Sequence, residues 1–239
     1  MAWYTEWFGN EYLELYAHRD EEEAEGHLAL VERLFAAEPP GRILDLACGA
    51  GRHSAALRRR GHAAFGVDLS LTLLAQRPRG VVTAGDMRRL PFAPGVFDWV
   101  LNFFTSFGYF ETERENFRVL EEVVRVLAPQ GRFLIDLMNL DSTLAHLREY
   151  ERREEGGRRV EIRRSWDPVQ RRLDKRIRLA SPGREPRTFL ESVRAYTRDE
   201  VVIGMRWAGL EVTDIFGSFA GERYGPDSER LILVARKSA

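Results

Sequence analysis

The sequence predicts an α/β fold built on a largely parallel sheet, with a small antiparallel β insertion late in the chain. Three observations carry this. Short apolar runs alternate with helical periodicities between residue 42 and about residue 137, the pattern of parallel strands joined by right-handed helical crossovers. A glycine-rich loop directly follows the first apolar run. Beyond residue 150 the periodicity changes to strict alternation, as antiparallel strands require.

Taken in order, the first forty residues read as helix. Asp20 to Glu23 put acid in a first turn, where the helix dipole favours it. Ala24, Leu28, Val31 and Phe35 recur at helical spacing until Pro39-Pro40-Gly41 stops the run. Arg42 to Ala47 form a buried strand, Cys48 to Gly51 a loop, and Arg52 to Arg60 a helix ended by Gly61. A second strand, Ala63 to Val67, ends at Asp68, and a third, Val81 to Thr83, leads to Asp86. Between them Arg77-Pro78-Arg79 leaves room only for a curtailed helix. Phe97 to Leu101 is a fourth strand, followed by a helix over roughly 111–127, a turn at Pro129-Gln130-Gly131, and a fifth strand from Arg132 to Leu137.

The insertion is expected to hold three strands, around Val160–Trp166, Leu173–Leu179 and Phe189–Val193. Phe189, Glu191 and Val193 share one face of the last. Thr197 to Glu200 is a capping box that opens a helix. Two closing strands, 209–216 and 230–235, follow each other without a helix and so form an antiparallel pair at a sheet edge.

Composition narrows the class. The 239 residues are 44% hydrophobic and 31% charged, with a formal net charge of -1, which suits one elaborated folded core and not a disordered chain. No apolar run approaches membrane-spanning length, and the first residues have no basic and apolar leader; a cytoplasmic protein with no membrane partner is expected. Cys48 is the single cysteine, which excludes a disulfide framework and a cysteine-based zinc cluster, and no metal is expected. Lys175 and Lys237 are the only lysines, a bias that codon usage in a GC-rich genome explains.

The chemistry is concentrated at the strand ends. In an open α/β sheet a ligand binds beyond the carboxyl ends of the strands, where the topology switches. There Gly49 and Gly51 let the backbone approach it. Asp45, four residues before Gly49, can meet a cationic amine; Asp68 can accept ribose hydroxyls; and Asp86, with Met87 beside it, can meet an adenine. Amine, ribose and adenine in that order describe S-adenosylmethionine better than a dinucleotide. The segment Gly49 to Ser54 also lacks the third glycine of the dinucleotide fingerprint. The plain alternative for Asp68 and Asp86 is turn formation at strand ends, and for Cys48 it is packing.

Ile43 to Gly51 resembles motif I of class I S-adenosylmethionine-dependent methyltransferases. Val67 to Ser70 resembles the acidic motif that follows it, and Gly85 to Pro91 the adenine-contacting motif. Phe97 to Phe110 and Leu127 to Asp136 resemble the fourth and fifth strand motifs. The resemblance implies a Rossmann-like seven-stranded sheet with an antiparallel last strand. It implies a cofactor site drawn from Tyr16, Arg19, Asp45, Ala47, Cys48, Gly49, Gly51, Asp68, Leu69, Asp86, Met87, Asn102 and Phe103. S-adenosyl-L-homocysteine would be the product, and Arg19 would meet the methionine carboxylate. It divides the chain into a helical cap over the cofactor (1–40), a core (41–149 and 197–239) and the β insertion (150–196).

The aromatic stretch from Asn102 to Phe110 is expected to line the acceptor side, with Tyr109 as the first candidate for a polar catalytic group and Tyr224 as the second. His53 and His146 have no partner visible in the sequence. A small-molecule acceptor is expected. A catalytically silent binding module and an RNA or protein methyltransferase are the alternatives. The insertion carries eight arginines between Arg158 and Arg178, but acids are interleaved with them and few aromatics are spaced for base stacking. It therefore reads as a lid or a homodimer surface before a nucleic-acid patch.

Overall fold

A computed structural model describes residues 2–16, 21–37, 39–76 and 81–238. Helices α1 (Trp3–Trp7), α2 (Asn10–Leu15) and α3 (Glu21–Ala37) precede β1 (Arg42–Leu46) and α4 (Arg52–Arg59). Next come β2 (Ala63–Asp68), α5 (Leu71–Leu74), β3 (Val82–Ala84), β4 (Phe97–Asn102), α6 (Glu113–Val126) and β5 (Leu127–Met138). After α7 (Leu140–Ala145) the chain forms β6 (Tyr150–Glu155), β7 (Arg158–Asp167), β8 (Arg172–Ala180) and β9 (Arg187–Arg194). It closes with α8 (Arg198–Ala208), β10 (Leu210–Phe216) and β11 (Arg230–Lys237).

The main sheet has seven strands in the order β10-β11-β5-β4-β1-β2-β3. β1 pairs in parallel with β2 and β4, and β4 with β5, while β11 runs antiparallel to both β5 and β10. The chain steps from β1 outward to β3, then crosses back to β4 on the other side of β1. That reversal places a crevice at the carboxyl ends of β1 and β4. Both faces of the sheet are covered. Leu44, Val100 and Phe133 meet Val119, Val123 and Met205 of α6 and α8 on one side; Ile43, Leu101 and Leu134 meet Leu28, Val31 and Leu57 of α3 and α4 on the other. Burial on two faces is why the central strands read as continuous apolar runs.

The insertion is a separate antiparallel sheet in the order β6-β7-β8-β9. Val160, Ile162, Ile177, Leu179 and Phe189 form its buried face, which packs on Trp7 and Leu15 of the N-terminal helices. Four strands stand where three are expected. The extra one, β6, alternates exposed with half-buried residues and carries Arg152, Arg153 and four flanking acids or aromatics, so it has no apolar face to announce it.

Of the other boundaries some match expectation and some depart from it, and Arg77-Pro78-Arg79 lies outside the described residues. α5 is indeed a single turn, and Thr197 with Glu200 forms the capping box of α8, which Gly209 ends in the left-handed region. The turn at Gln130-Gly131 lies inside β5, with Gln130 at φ 63. The N-terminal helical region is split at Gly9, and α2 ends at Leu15. No helix among the described residues is long and apolar enough to cross a membrane.

Candidate functional site

The loop after β1 is shaped by three left-handed residues, Ala47, Gly49 and Gly51, at φ 57, 56 and 73. This curl turns the Gly49 N–H toward the end of β2, where Asp68 Oδ2 accepts it at 2.8 Å. Asp68 Oδ1 accepts the Ser70 N–H at 2.8 Å. Burial raises the Asp68 carboxyl against these backbone hydrogen bonds from Ser70 and Gly49. Asp45 is buried at the end of β1, and its Oδ2 accepts both the Ser54 N–H (3.0 Å) and the Ser54 hydroxyl (2.7 Å). Burial pushes it up to about 6. Asp86 behaves oppositely: although burial raises it, the hydrogen bonds and charge of Arg88 hold it below its ordinary value. Arg88 also reaches Glu115 at 2.6 Å and lies 4.2 Å over the Phe110 ring.

These strand ends open into one cavity of about 780 Å³, within the size range of small-molecule sites. Tyr16, Asp45, Ala47, Cys48, Gly49, Asp68, Leu69, Asp86, Met87 and Phe103 all line it, as does Tyr109. Two expected residues sit behind the wall instead. Gly51 caps the start of α4, and Asn102 is buried with its Nδ2 donating to Leu46 O at 2.8 Å. Tyr224 is not in the lining; its hydroxyl donates to Asn139 Oδ1 at 3.1 Å. The Arg19 expectation lies outside the described residues. Cys48 packs under Gly66, where a Cβ would stand 2.6 Å from its Sγ, and burial raises its thiol far above the ordinary value. Its surroundings are those of a small packing residue, and burial disfavours its thiolate.

His53 does have a partner. Its Nε2 lies 3.2 Å from His27 Nδ1, and its ring stacks on Phe103 at 4.2 Å. Burial lowers both imidazoles, so the pair is neutral near pH 7.

The sequence left other walls unread. Trp3 and Phe8 of the N-terminal region roof the cavity, their rings 4.9 and 5.7 Å from that of Tyr109. Glu191 of β9 lines it from the insertion. A signal existed for Glu191: a carboxylate between Phe189 and Val193 on an otherwise apolar strand face. Arg52, Thr105, Met138 and Arg230 also line the cavity.

A loop of left-handed residues and three strand-end carboxylates, over a sheet with one reversed strand, define the class I S-adenosylmethionine-dependent methyltransferase fold. Comparison with known proteins agrees. Residues 43–131 match the family model described as methyltransferase domain, and the sheet order with its antiparallel end is that of the methyltransferase fold. It is similar to the putative methyltransferase YqeM of Bacillus subtilis (strain 168), 36% identical over 104 residues, which cover 41% of this chain and 42% of YqeM. The chain thus spans about two fifths of the length of the first curated relatives it matches. It is also similar to the cypemycin N-terminal methyltransferase of a Streptomyces species, 29% identical, with 82% of each chain covered. Among solved structures it is similar to CalS10 with S-adenosylmethionine bound, an amino pentose methyltransferase from Micromonospora echinaspora. There the identity is 25%, the TM-score 0.66, and 91% of each chain is covered.

Proposed function

We propose that the chain transfers a methyl group from S-adenosylmethionine to a nitrogen atom of a small molecule. The observation that carries this is the order of the three acids around one cavity: Asp45 at β1, Asp68 at β2, Asp86 at β3. In this reading Asp45 faces the amino group, Asp68 the ribose and Asp86 with Met87 the adenine. Gly49 and Phe103 flank the methionine portion. Each Asp68 oxygen already accepts one backbone N–H and keeps a further lone pair for a hydroxyl. Similarity to a cypemycin N-terminal methyltransferase and to an amino pentose methyltransferase favours an amine acceptor.

The bound cofactor supplies an electrophilic methyl on a sulfonium. With an in-line displacement at that methyl supplied by the cofactor, the chain's part would be to position the acceptor and to exclude water. Trp3, Phe8 and Tyr109 serve the second purpose, roofing the cavity with apolar rings. An amine that arrives neutral needs no strong base. That suits a site whose only histidine on the cavity wall, among the described residues, is tied to another.

Calorimetric titration with S-adenosylmethionine and, separately, with NAD⁺ tests the cofactor assignment. Micromolar binding of the first, lost in Asp68→Ala, is the expected result; binding of NAD⁺ alone overturns it.

A further inference from the structure

Phe104 and Thr105 follow β4 with φ of 60 and 55, two successive left-handed residues that each carry a Cβ. Such strain persists only where neighbours over-determine it, and here one carboxylate does so. Asp136, 1% exposed near the end of β5, accepts the Phe104 N–H on Oδ2 at 2.8 Å, and its backbone oxygen accepts the Thr105 N–H at 2.9 Å. Its Oδ1 accepts Arg230 Nε at 2.7 Å, and Arg230 Nη2 donates to Thr105 Oγ1 at 3.1 Å. A guanidinium has five N–H groups; these bonds use two. Among the described residues Arg230 Nη1 has no hydrogen-bond partner, and Arg230 lines the cavity while Asp136 does not. A ligand entering this end therefore meets the guanidinium and not the carboxylate. A second guanidinium, that of Arg52, lies 4.5 Å from the centre of the Phe104 ring and lines the same cavity, paired through its Nη1 with Glu23.

Position separates this arrangement from the cofactor. Arg230 opens β11, three strands from β1 and four from β2 in the sheet order. Its guanidinium reaches back across β5 to Thr105, just past the end of β4, one strand from β1 and two from β2, or roughly 5 and 10 Å across the strand ends. The proposed cofactor occupies the ends of β1 to β3, so the Arg230 end is left for the acceptor.

We infer that this end of the cavity is a subsite for an oxyanion, carboxylate or phosphate, carried by the methyl acceptor, and that Arg230 is its specificity-determining donor. The inference rests on the cofactor reading above. Asp136 and Thr105 fix the fork so that its free edge points where the acceptor's anionic group arrives. A planar guanidinium held in this way recognises oxyanions bidentately, which a lysine cannot do.

The test uses the full chain loaded with S-adenosylhomocysteine, titrated with inorganic phosphate and, in a second arm, with acetate. The Phe104 and Thr105 amide signals are followed by NMR. A saturable shift with phosphate assigns a phosphate-bearing acceptor, and one with acetate a carboxylate. Either should weaken about tenfold or more in Arg230→Lys, which keeps the charge beside buried Asp136 and loses the fork. S-adenosylhomocysteine affinity should stay within about threefold. No saturable shift of those signals with either anion in the wild-type chain overturns the subsite while leaving the cofactor reading intact. Loss of S-adenosylhomocysteine affinity in Arg230→Lys would reassign Arg230 to the cofactor. If the wild-type chain does not bind S-adenosylhomocysteine, the cofactor reading fails and the subsite with it.

Discussion

Trp7 Nε1 donates to Glu191 Oε1 at 2.5 Å across 184 residues of sequence, and this contact joins the N-terminal roof to the β insertion. Trp7 is fully buried, and Glu191 pairs with Lys175 at 3.2 Å while Lys175 also meets the Tyr16 hydroxyl. Roof and insertion therefore act as one unit above the cavity. Trp7→Phe keeps a ring but removes the donor, and should cost about 1–2 kcal/mol; Trp7→Ala should cost about 3–5 kcal/mol. Hydrogen exchange of residues 3–15 should accelerate in both variants. Unchanged protection there in Trp7→Ala would mean that the roof is held by something other than β9.

Asp45 gives a pH dependence of defined sign. Its carboxyl is pushed up to about 6 by burial, against hydrogen bonds from Ser54, whereas an unfolded aspartate titrates near ~3.9. The folded chain thus holds the proton more tightly. Stability is lost as pH rises through that window, by about 3 kcal/mol once it is crossed. Asp45→Asn keeps an acceptor for Ser54 and cannot ionise. It should match the wild type near pH ~4 and exceed it by about 2–3 kcal/mol above pH ~7, measured by urea unfolding without ligand. S-adenosylmethionine affinity should move the other way. In the wild type it should rise from pH ~5 to ~7, because an ionised Asp45 meets the cationic amine, and in the Asp45→Asn variant it should be low throughout. A flat stability difference across pH would show that Asp45 is already ionised at pH ~4.

The loop that carries Tyr109 is held from the insertion. Arg172 of β8 donates to Phe110 O at 3.0 Å and to Ser192 O and Oγ at 2.6 and 2.8 Å. Arg194 N donates to Gly108 O at 2.8 Å, and a Cβ on Gly108 would stand 2.3 Å from Arg194 O. Arg172 is thus a positioning residue. Arg172→Lys should raise the acceptor KM by about tenfold and leave S-adenosylmethionine affinity within about twofold. An equal fall in cofactor affinity would mean that the substitution had disturbed the whole cavity.

What the sequence disclosed and what it withheld divide along the range of the interactions. The β1 loop, Asp68, Asp86 and the Thr197 capping box are legible because each is a local event: a strand end, a left-handed glycine, a cap three residues from its partner. Arg230 and Asp136 lie 94 residues apart and Trp7 and Glu191 184, so neither pair leaves a spacing to read. β6 stayed hidden because it is an edge strand with no apolar face. Tyr224 stands away from the cavity because its loop turns toward Asn139, whose Nδ2 donates to the Gly225, Pro226 and Ser228 carbonyls.

The arginines of the insertion are paired in a way that disfavours a nucleic-acid surface. Arg164 pairs with Glu151 at 3.0 Å, Arg178 with Glu161 at 3.2 Å and Arg159 with Glu154 at 3.4 Å. Arg158 and Arg187 reach across to Glu14 and Glu11 of α2. Each pair is exposed enough to contribute little to stability, but together the acids cancel the field that would concentrate a polyanion. Phosphate binding would have to break these pairs, and the counterion release that drives it would shrink accordingly. Total tRNA should therefore produce no mobility shift at physiological salt. If a shift does appear and weakens steeply with added salt, the insertion reads a polyanion after all, and the acceptor would have to be sought among nucleic acids.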